Sequence, residues 1–258
     1  MRVFRFDHLD STNTKARELA ASGFGEGTVV VAITQTAGRG RGDHTWHSPK
    51  GGIYLSAVVR PNVGRRVTDL SFLAGIAVME TIRNFLTAER VISVKWPNDC
   101  LIDGKKVSGV LGEALSSSEN GLAVLGIGLN ANVVASELAA FEGNAFPATS
   151  LLLEGGAPVN YEVVLATLVE RLFDWYERYG KDGFSVVQQH WERHCRFIGE
   201  KVRIAAGAVY REGGRTGLEP SPVTATCLGI DEYGALVLST MQGERRHYFA
   251  GELICYSR

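Results

Sequence analysis

Charge of one sign is missing from this chain: 27 lysines and arginines stand against 28 aspartates and glutamates in 258 residues, a net charge of −1. That excludes a globally basic nucleic-acid coat protein, though not a local basic patch. Cysteine is scarce. The four residues, at 100, 195, 227 and 255, leave no CxxC spacing, so neither a thiolate zinc site nor a disulfide framework is indicated. A reducing cytoplasm is the expected compartment. No uninterrupted apolar run approaches the roughly 18 residues that would span a membrane. The opening MRVFRFDHLD carries charges where a secretion signal needs an apolar stretch.

What remains is an ordinary globular composition, 45% apolar and 21% charged, long enough for one large domain or two unequal ones. Glycine is the exception: 30 residues exceed the background of about 7%, and they cluster. Capping residues Ser11-Thr12-Asn13 open a helix that Gly23 stops. The β-branched run 27–34 predicts a buried strand, and 53–60 a second. Between them lies QTAGRGRGDHTWHSPKGG (35–52), a long irregular loop of the kind that is functional or disordered.

Helical spacing returns at 68–86. The strand 91–97 ends at a proline, and Asp103-Gly104 marks the turn of the hairpin that follows. Another strand covers 121–133, and helices are expected near 161–179 and 183–195. After Phe197 the pattern changes to short alternating strands (KVRI, VTATCLGI, ALVLSTM), as in a small all-β barrel. The fold class expected is therefore a mixed α/β domain over 1–196, its sheet packed by helices, and a β module over 197–258.

Three constellations carry chemistry. Residues 34–66 hold six basic side chains against one acid, centred on Gly38-Arg39-Gly40-Arg41-Gly42. Glycine lets backbone N–H groups approach a ligand, and two guanidinium forks suit a carboxylate or phosphate. The string is neither a P-loop nor a dinucleotide fingerprint; the plain alternative is a solvated basic loop. Trp46 follows in a polar setting and could stack on a flat base, although packing is the commoner use of a tryptophan.

Next comes Lys95-Trp96-Pro97-Asn98-Asp99, with Lys105-Lys106 one hairpin later. Asn98 and Asp99 offer hard oxygens of the kind Mg²⁺ takes beside phosphates, and Lys106 could aim an ammonium at an anion. The plain alternative is a proline-stopped strand with solvated lysines, the reading adopted for Lys105. Finally Gly126-x-Gly128-x-Asn130 bares the backbone where a strand ends, a weak signal alone.

In this order the pieces resemble the biotin–protein ligase family. The matching strings are STN (11–13), QTAGRGR (35–41), W-x-SP (46–49), GGIYLS (51–56), KWPND (95–99), GKKVSGVL (104–111), GIGLN (126–130), GID-x-x-GALVL (229–238) and AGE (250–252). They cover nearly the whole chain. The resemblance implies a catalytic α/β domain with an SH3-like C-terminal domain. It also implies a two-step reaction: biotin and MgATP give biotinyl-5′-AMP, whose acyl group passes to one lysine of a carboxylase's biotin carrier domain.

By resemblance, biotin is contacted by Ser11, Thr12, Asn13, Gln35, Arg39, Gly40, Arg41, Lys106 and Gly109. ATP would be contacted by Arg39, Arg41, Trp46, Lys106 and Asn130. Arg41, Lys106 and Asp99 would be catalytic, with Asp99 also the magnesium candidate. The types suit the work: short polar side chains read a neutral cyclic urea, and cations let a carboxylate approach an α-phosphate. A flexible arginine loop would close over the mixed anhydride and exclude water.

The chain departs from the family pattern at Asp43 and His44, where many members carry glycine and arginine. Residues 205–222 read as a disordered insertion. Only ten residues precede Ser11, so no DNA-binding arm and no DNA partner are expected; whether the chain forms a homodimer stays open. The rivals are a lipoate or octanoyl transferase, a non-catalytic protein that sequesters biotin or its adenylate, and a nucleic-acid binder.

Overall fold

The computed structural model describes all residues except 43, 62–65, 116–120, 140–145, 206, 212–214, 220–221 and 256–258. Its first half is a seven-stranded sheet. The strands in chain order are β1 (Arg2–Leu9), β2 (Thr28–Gln35), β3 (Ile53–Val59), β4 (Ile92–Lys95), β5 (Asp99–Ile102), β6 (Lys105–Ala114) and β7 (Ala123–Leu129). They lie in the order β1-β2-β3-β7-β6-β5-β4, and only the β1–β2 pair is parallel.

Helix α1 (Thr12–Ala21) crosses from β1 to β2 and covers one face, where Ala16 and Ala20 pack on Val30, Val58 and Val124. The opposite face takes α2 (Val67–Arg83), itself backed by α5 (Tyr161–Asp182) and α6 (Phe184–His194). Because both faces are covered, β2 and β3 are continuous apolar runs rather than alternating ones. Two short helices, α3 (Ala135–Leu138) and α4 (Leu151–Gly155), lie between β7 and α5. No helix of the described residues is long and apolar enough to cross a membrane.

The hairpin at Asp103-Gly104 forms as its residues require. Both have positive φ, +48° and +81°, the geometry of a two-residue turn between twisted strands. Its returning strand carries Lys106 and Gly109 back along the sheet beside β7.

The rest of the chain forms a second seven-stranded sheet, antiparallel throughout. Its strands are β8 (Lys201–Ala205), β9 (Gly207–Arg211), β10 (Arg215–Glu219), β11 (Val223–Ile230), β12 (Leu236–Ser239), β13 (Arg245–Tyr248) and β14 (Glu252–Cys255). The order is β10-β9-β13-β12-β11-β8-β14.

Two expectations change here. The stretch 205–222 is not a disordered insertion among its described residues: β9 and β10 pair from Gly207–Glu219 to Arg211–Arg215 and extend the sheet. The glycine-rich loop is likewise folded. Gln35 bridges Ser48, Arg39 bridges Thr45, and Trp46 N–H donates to Gly38 O at 2.8 Å, so residues 38–42 and 44–46 pair as the two arms of a small hairpin. Asp43 lies outside the described residues.

Candidate active site

One cavity of about 260 Å³ opens where the glycine hairpin, the N-terminus of α1 and the strands β5, β6 and β7 meet. All twelve residues singled out in the sequence line it, from Ser11 to Asn130. The second sheet reaches the rim through Gly251 and Glu252.

The inner wall is neutral and polar. Thr12 donates to Gln35 Oε1 from its backbone N–H (2.7 Å) and its hydroxyl (3.1 Å), and Gln35 Nε2 donates to Ser48 Oγ (2.8 Å). Ser56, fully buried on β3, donates to Asn13 Oδ1 at 2.6 Å and lies 2.8 Å from the Thr12 hydroxyl. Asn13 Nδ2 donates to Glu113 Oε2 at 2.7 Å. Apart from Ser48, which lies in the loop between β2 and β3, these residues stand on α1, β2, β3 and β6, so the wall exists only once the sheet has assembled.

The floor is glycine. A Cβ at Gly126 would run into the Asn13 amide, and one at Gly128 would run into the Trp46 indole nitrogen. A Cβ at Gly109 would sit 3.0 Å from the same indole. The Trp46 ring therefore lies flat over β6 and β7, a closeness that bare backbone permits. Its Nε1 is buried without a hydrogen-bond partner. The Lys106 ammonium stands 5.4 Å from the ring centroid, within cation–π reach.

Four cations face this floor: Arg39, Arg41, Lys95 and Lys106. Asp99 holds two of them, with Oδ2 3.1 Å from Lys95 Nζ and Oδ1 2.7 Å from Lys106 Nζ. Asp99 and Lys95 are both more than nine-tenths buried. Burial alone would push the Asp99 carboxyl up, but the two ammoniums outweigh it and hold the pKa below the ordinary carboxylate range. Asp99 is thus an anion in place, poorly suited to accept a proton near neutrality. For Arg41 burial dominates and draws the guanidinium below its usual range, against the attraction of Asp99. Arg39 is tied instead to Glu113 Oε2 at 2.6 Å.

The expectation that Asp99 ligates magnesium meets a carboxylate whose two oxygens are already ion-paired, one to each ammonium. Among the described residues no group of three or more His, Cys, Asp or Glu is placed to hold a metal ion. Lys105 is not simply solvated either, since its ammonium pairs with Glu154 Oε1 at 2.8 Å. Asn130 is buried at the cavity edge, with Nδ2 donating to Thr149 O (2.9 Å). His44 is exposed on the rim.

Four side chains of this site went unassigned in the sequence: Lys95, Ser48, Ser56 and Glu113. Lys95 sits inside a recognised string, whose polar members drew the attention. Ser56 and Glu113 belong to runs read as strands, where a single polar residue gives no local sign of its distant partner.

Comparison with known proteins identifies the family. Residues 5–130 match the model of the biotin/lipoate A/B protein ligase family. The chain is 34% identical to the bifunctional ligase/repressor BirA of Bacillus subtilis, over 95% of its own length and 71% of that protein's. It is 31% identical to a biotin–[acetyl-CoA-carboxylase] ligase of Paracoccus denitrificans, covering 92% of this chain and 93% of the other. Among solved structures, the biotin protein ligase of Aquifex aeolicus in complex with biotin and ATP superimposes with a TM-score of 0.77 at 27% identity. That match covers 100% and 99% of the two chains. On these similarities the chain belongs to the biotin–protein ligase family.

Proposed function

We propose that the protein is an ATP-dependent ligase that activates biotin as biotinyl-5′-AMP and transfers it to a specific lysine of a carboxylase's biotin carrier domain. One observation carries this reading. A neutral polar pocket, able to read a cyclic urea, opens directly onto four clustered cations able to hold a carboxylate against a phosphate.

In the first step the biotin carboxylate attacks the α-phosphorus of ATP, a P–O bond forms, and pyrophosphate leaves. Two anions must meet, so Arg39, Arg41 and Lys106 act by cancelling charge at the reacting oxygens. Asp99 does not touch the anions in this reading. It keeps the Lys106 ammonium aimed across the cavity and balances buried Lys95. Trp46 flanks the adenine and Asn130 lies beside the nucleotide. In the second step the carrier lysine's neutral amine attacks the acyl carbonyl; AMP leaves and the extra proton passes to solvent.

Magnesium belongs here to the nucleotide, as the counter-ion of its phosphates, rather than to a protein site. Residues 1–196 form the catalytic domain, and we read 197–258 as an SH3-like domain that contributes Gly251 and Glu252 to the rim. The cytoplasm suits the protein, since Cys100, Cys195 and Cys227 are buried free thiols.

The test is the intact mass of an apo carrier domain incubated with the protein, ATP, Mg²⁺ and equimolar biotin and lipoate. A single biotin-sized gain is expected, slowed about 10²–10³-fold by Lys106→Ala, the usual cost of one transition-state donor. A lipoate gain would move the protein to the other branch of its superfamily. Tight biotin binding with no gain would make it a sequestering protein.

A further inference from the structure

Among the described residues, Glu113 is the carboxylate on which the two halves of the site converge. It stands on β6 with a side chain 21% exposed, away from the cluster around Asp99. Its Oε2 accepts from Asn13 Nδ2 at 2.7 Å and pairs with Arg39 at 2.6 Å, while Oε1 faces Arg17 at 3.3 Å. Thus a single oxygen touches both the polar wall and the arginine hairpin.

The contact with Asn13 decides how the wall presents itself. An ionised carboxylate only accepts, so the edge of the Asn13 amide that faces it must be the NH₂. The carbonyl edge is thereby turned to Ser56, which donates to it at 2.6 Å. At the other end the Thr12 backbone N–H, which only donates, fixes Gln35 Oε1 in the same way. Asn13 keeps a second hydrogen and a second lone pair, while Gln35, whose Oε1 already accepts twice from Thr12, keeps a second hydrogen, and the polarity of both amides is already set. Without Glu113, Asn13 could turn over and offer the cavity an inverted pattern.

The contact with Arg39 works at the rim. A guanidinium paired at Glu113 is held beside the cavity rather than free in solvent, and the anion that draws it inward must compete with that pair.

We propose that Glu113 is a positioning residue. It fixes the donor–acceptor polarity of the ring pocket through Asn13 and holds Arg39 at the rim, so that pocket and arginine hairpin are set by one group. This rests on the ligase reading for the identity of the ligand, and its test is therefore made on binding. Biotin affinity is measured by calorimetry for the full chain and for Glu113→Ala and Glu113→Gln, together with unfolding temperature and the rate of tryptic cleavage after Arg39 and Arg41 without ligand.

Alanine removes both contacts and should weaken biotin binding about tenfold or more, the scale of a lost charge-assisted hydrogen bond. Glutamine can still accept from Asn13 but carries no charge for Arg39. It should recover most of the affinity while the hairpin is cut as fast as in the alanine variant. That split between affinity and cleavage is one that a merely structural role would not produce. Biotin affinity within twofold of the parent in Glu113→Ala would overturn the proposal. So would equal losses in both variants, tracking a fall in unfolding temperature. A parent chain that binds no biotin would instead sink the reading of the site itself.

Discussion

Gly126 and Gly128 show how much a residue can mean only after its neighbours are placed. In the sequence they mark a strand end with bare backbone, a weak signal. In the structure each glycine lies under a different ligand-facing group, Asn13 over the first and Trp46 over the second. The expected consequence is a division of effects. Gly126→Ala presses on the Asn13 amide and should weaken biotin binding. Gly128→Ala displaces the indole and should raise the KM for ATP, with biotin affinity less affected. Overpacking of this kind costs about 1–3 kcal/mol, or roughly 5- to 150-fold. Calorimetry with biotin and steady-state kinetics with ATP separate the two, and equal effects of both variants on both ligands would defeat the division. Arg39, Arg41 and Lys106 were legible from local motifs, because phosphate chemistry demands charge on short glycine-flanked segments, whereas Lys95 was passed over. Glu113 and Ser56 were not legible, since their partners Asn13 and Arg39 are 43 to 100 residues away in sequence.

At the scale of elements, legibility followed burial and periodicity. The buried strands β2, β3 and β7 and the amphipathic helices α2, α5 and α6 stand close to where their patterns put them. Strand β1 left no comparable pattern: as an edge strand it is rich in charge and mostly exposed, and its ladder depends on β2. The pair β9–β10 escaped for a similar reason, lying at the sheet's edge, each strand short and carrying a glycine, Gly207 and Gly217. Helix α5 offers a clean check of local encoding. Its N-cap Asn160 accepts from the N–H groups of Glu162 (3.0 Å) and Val163 (3.2 Å), and the residue before it, Val159, is locked to Asn132. Asn160→Ala should cost about 1 kcal/mol and lower the unfolding temperature by roughly 2–4 °C. Biotin affinity should not change, because α5 contributes nothing to the cavity lining. A loss of biotin binding at unchanged unfolding temperature would contradict this placing of the helix as scaffold.

The two sheets divide the chain by sequence character, but their interiors are continuous. Leu70, Phe72 and Trp191 from the first part belong to the same buried cluster as Val202, Ile204, Leu236 and Tyr248 from the second. Polar ties cross the same boundary. Trp96 Nε1 donates to Gly234 O (3.1 Å), Gln188 Nε2 to Ile230 O (2.6 Å), and Ile230 N–H to Glu192 Oε1 (3.0 Å). Arg66 lies within cation–π reach of both Phe184 and Tyr233. A module whose buried residues run on into those of its neighbour is coupled to it, so the whole chain should melt in one cooperative transition. At about 0.7 kcal/mol per residue near 60 °C, the calorimetric enthalpy should approach roughly 180 kcal/mol. Gly234 is the place to probe the coupling. Its φ is +74°, and a Cβ there would lie 2.8 Å from the Phe72 ring, on the far side of the boundary. Gly234→Ala combines left-handed strain with overpacking, together about 2–5 kcal/mol. It should shift the single transition down by roughly 5–15 °C without splitting it. If scanning calorimetry of the variant instead showed a separate early transition carrying about a quarter of the enthalpy, the second sheet would be an independent folding unit and the shared core a mere contact.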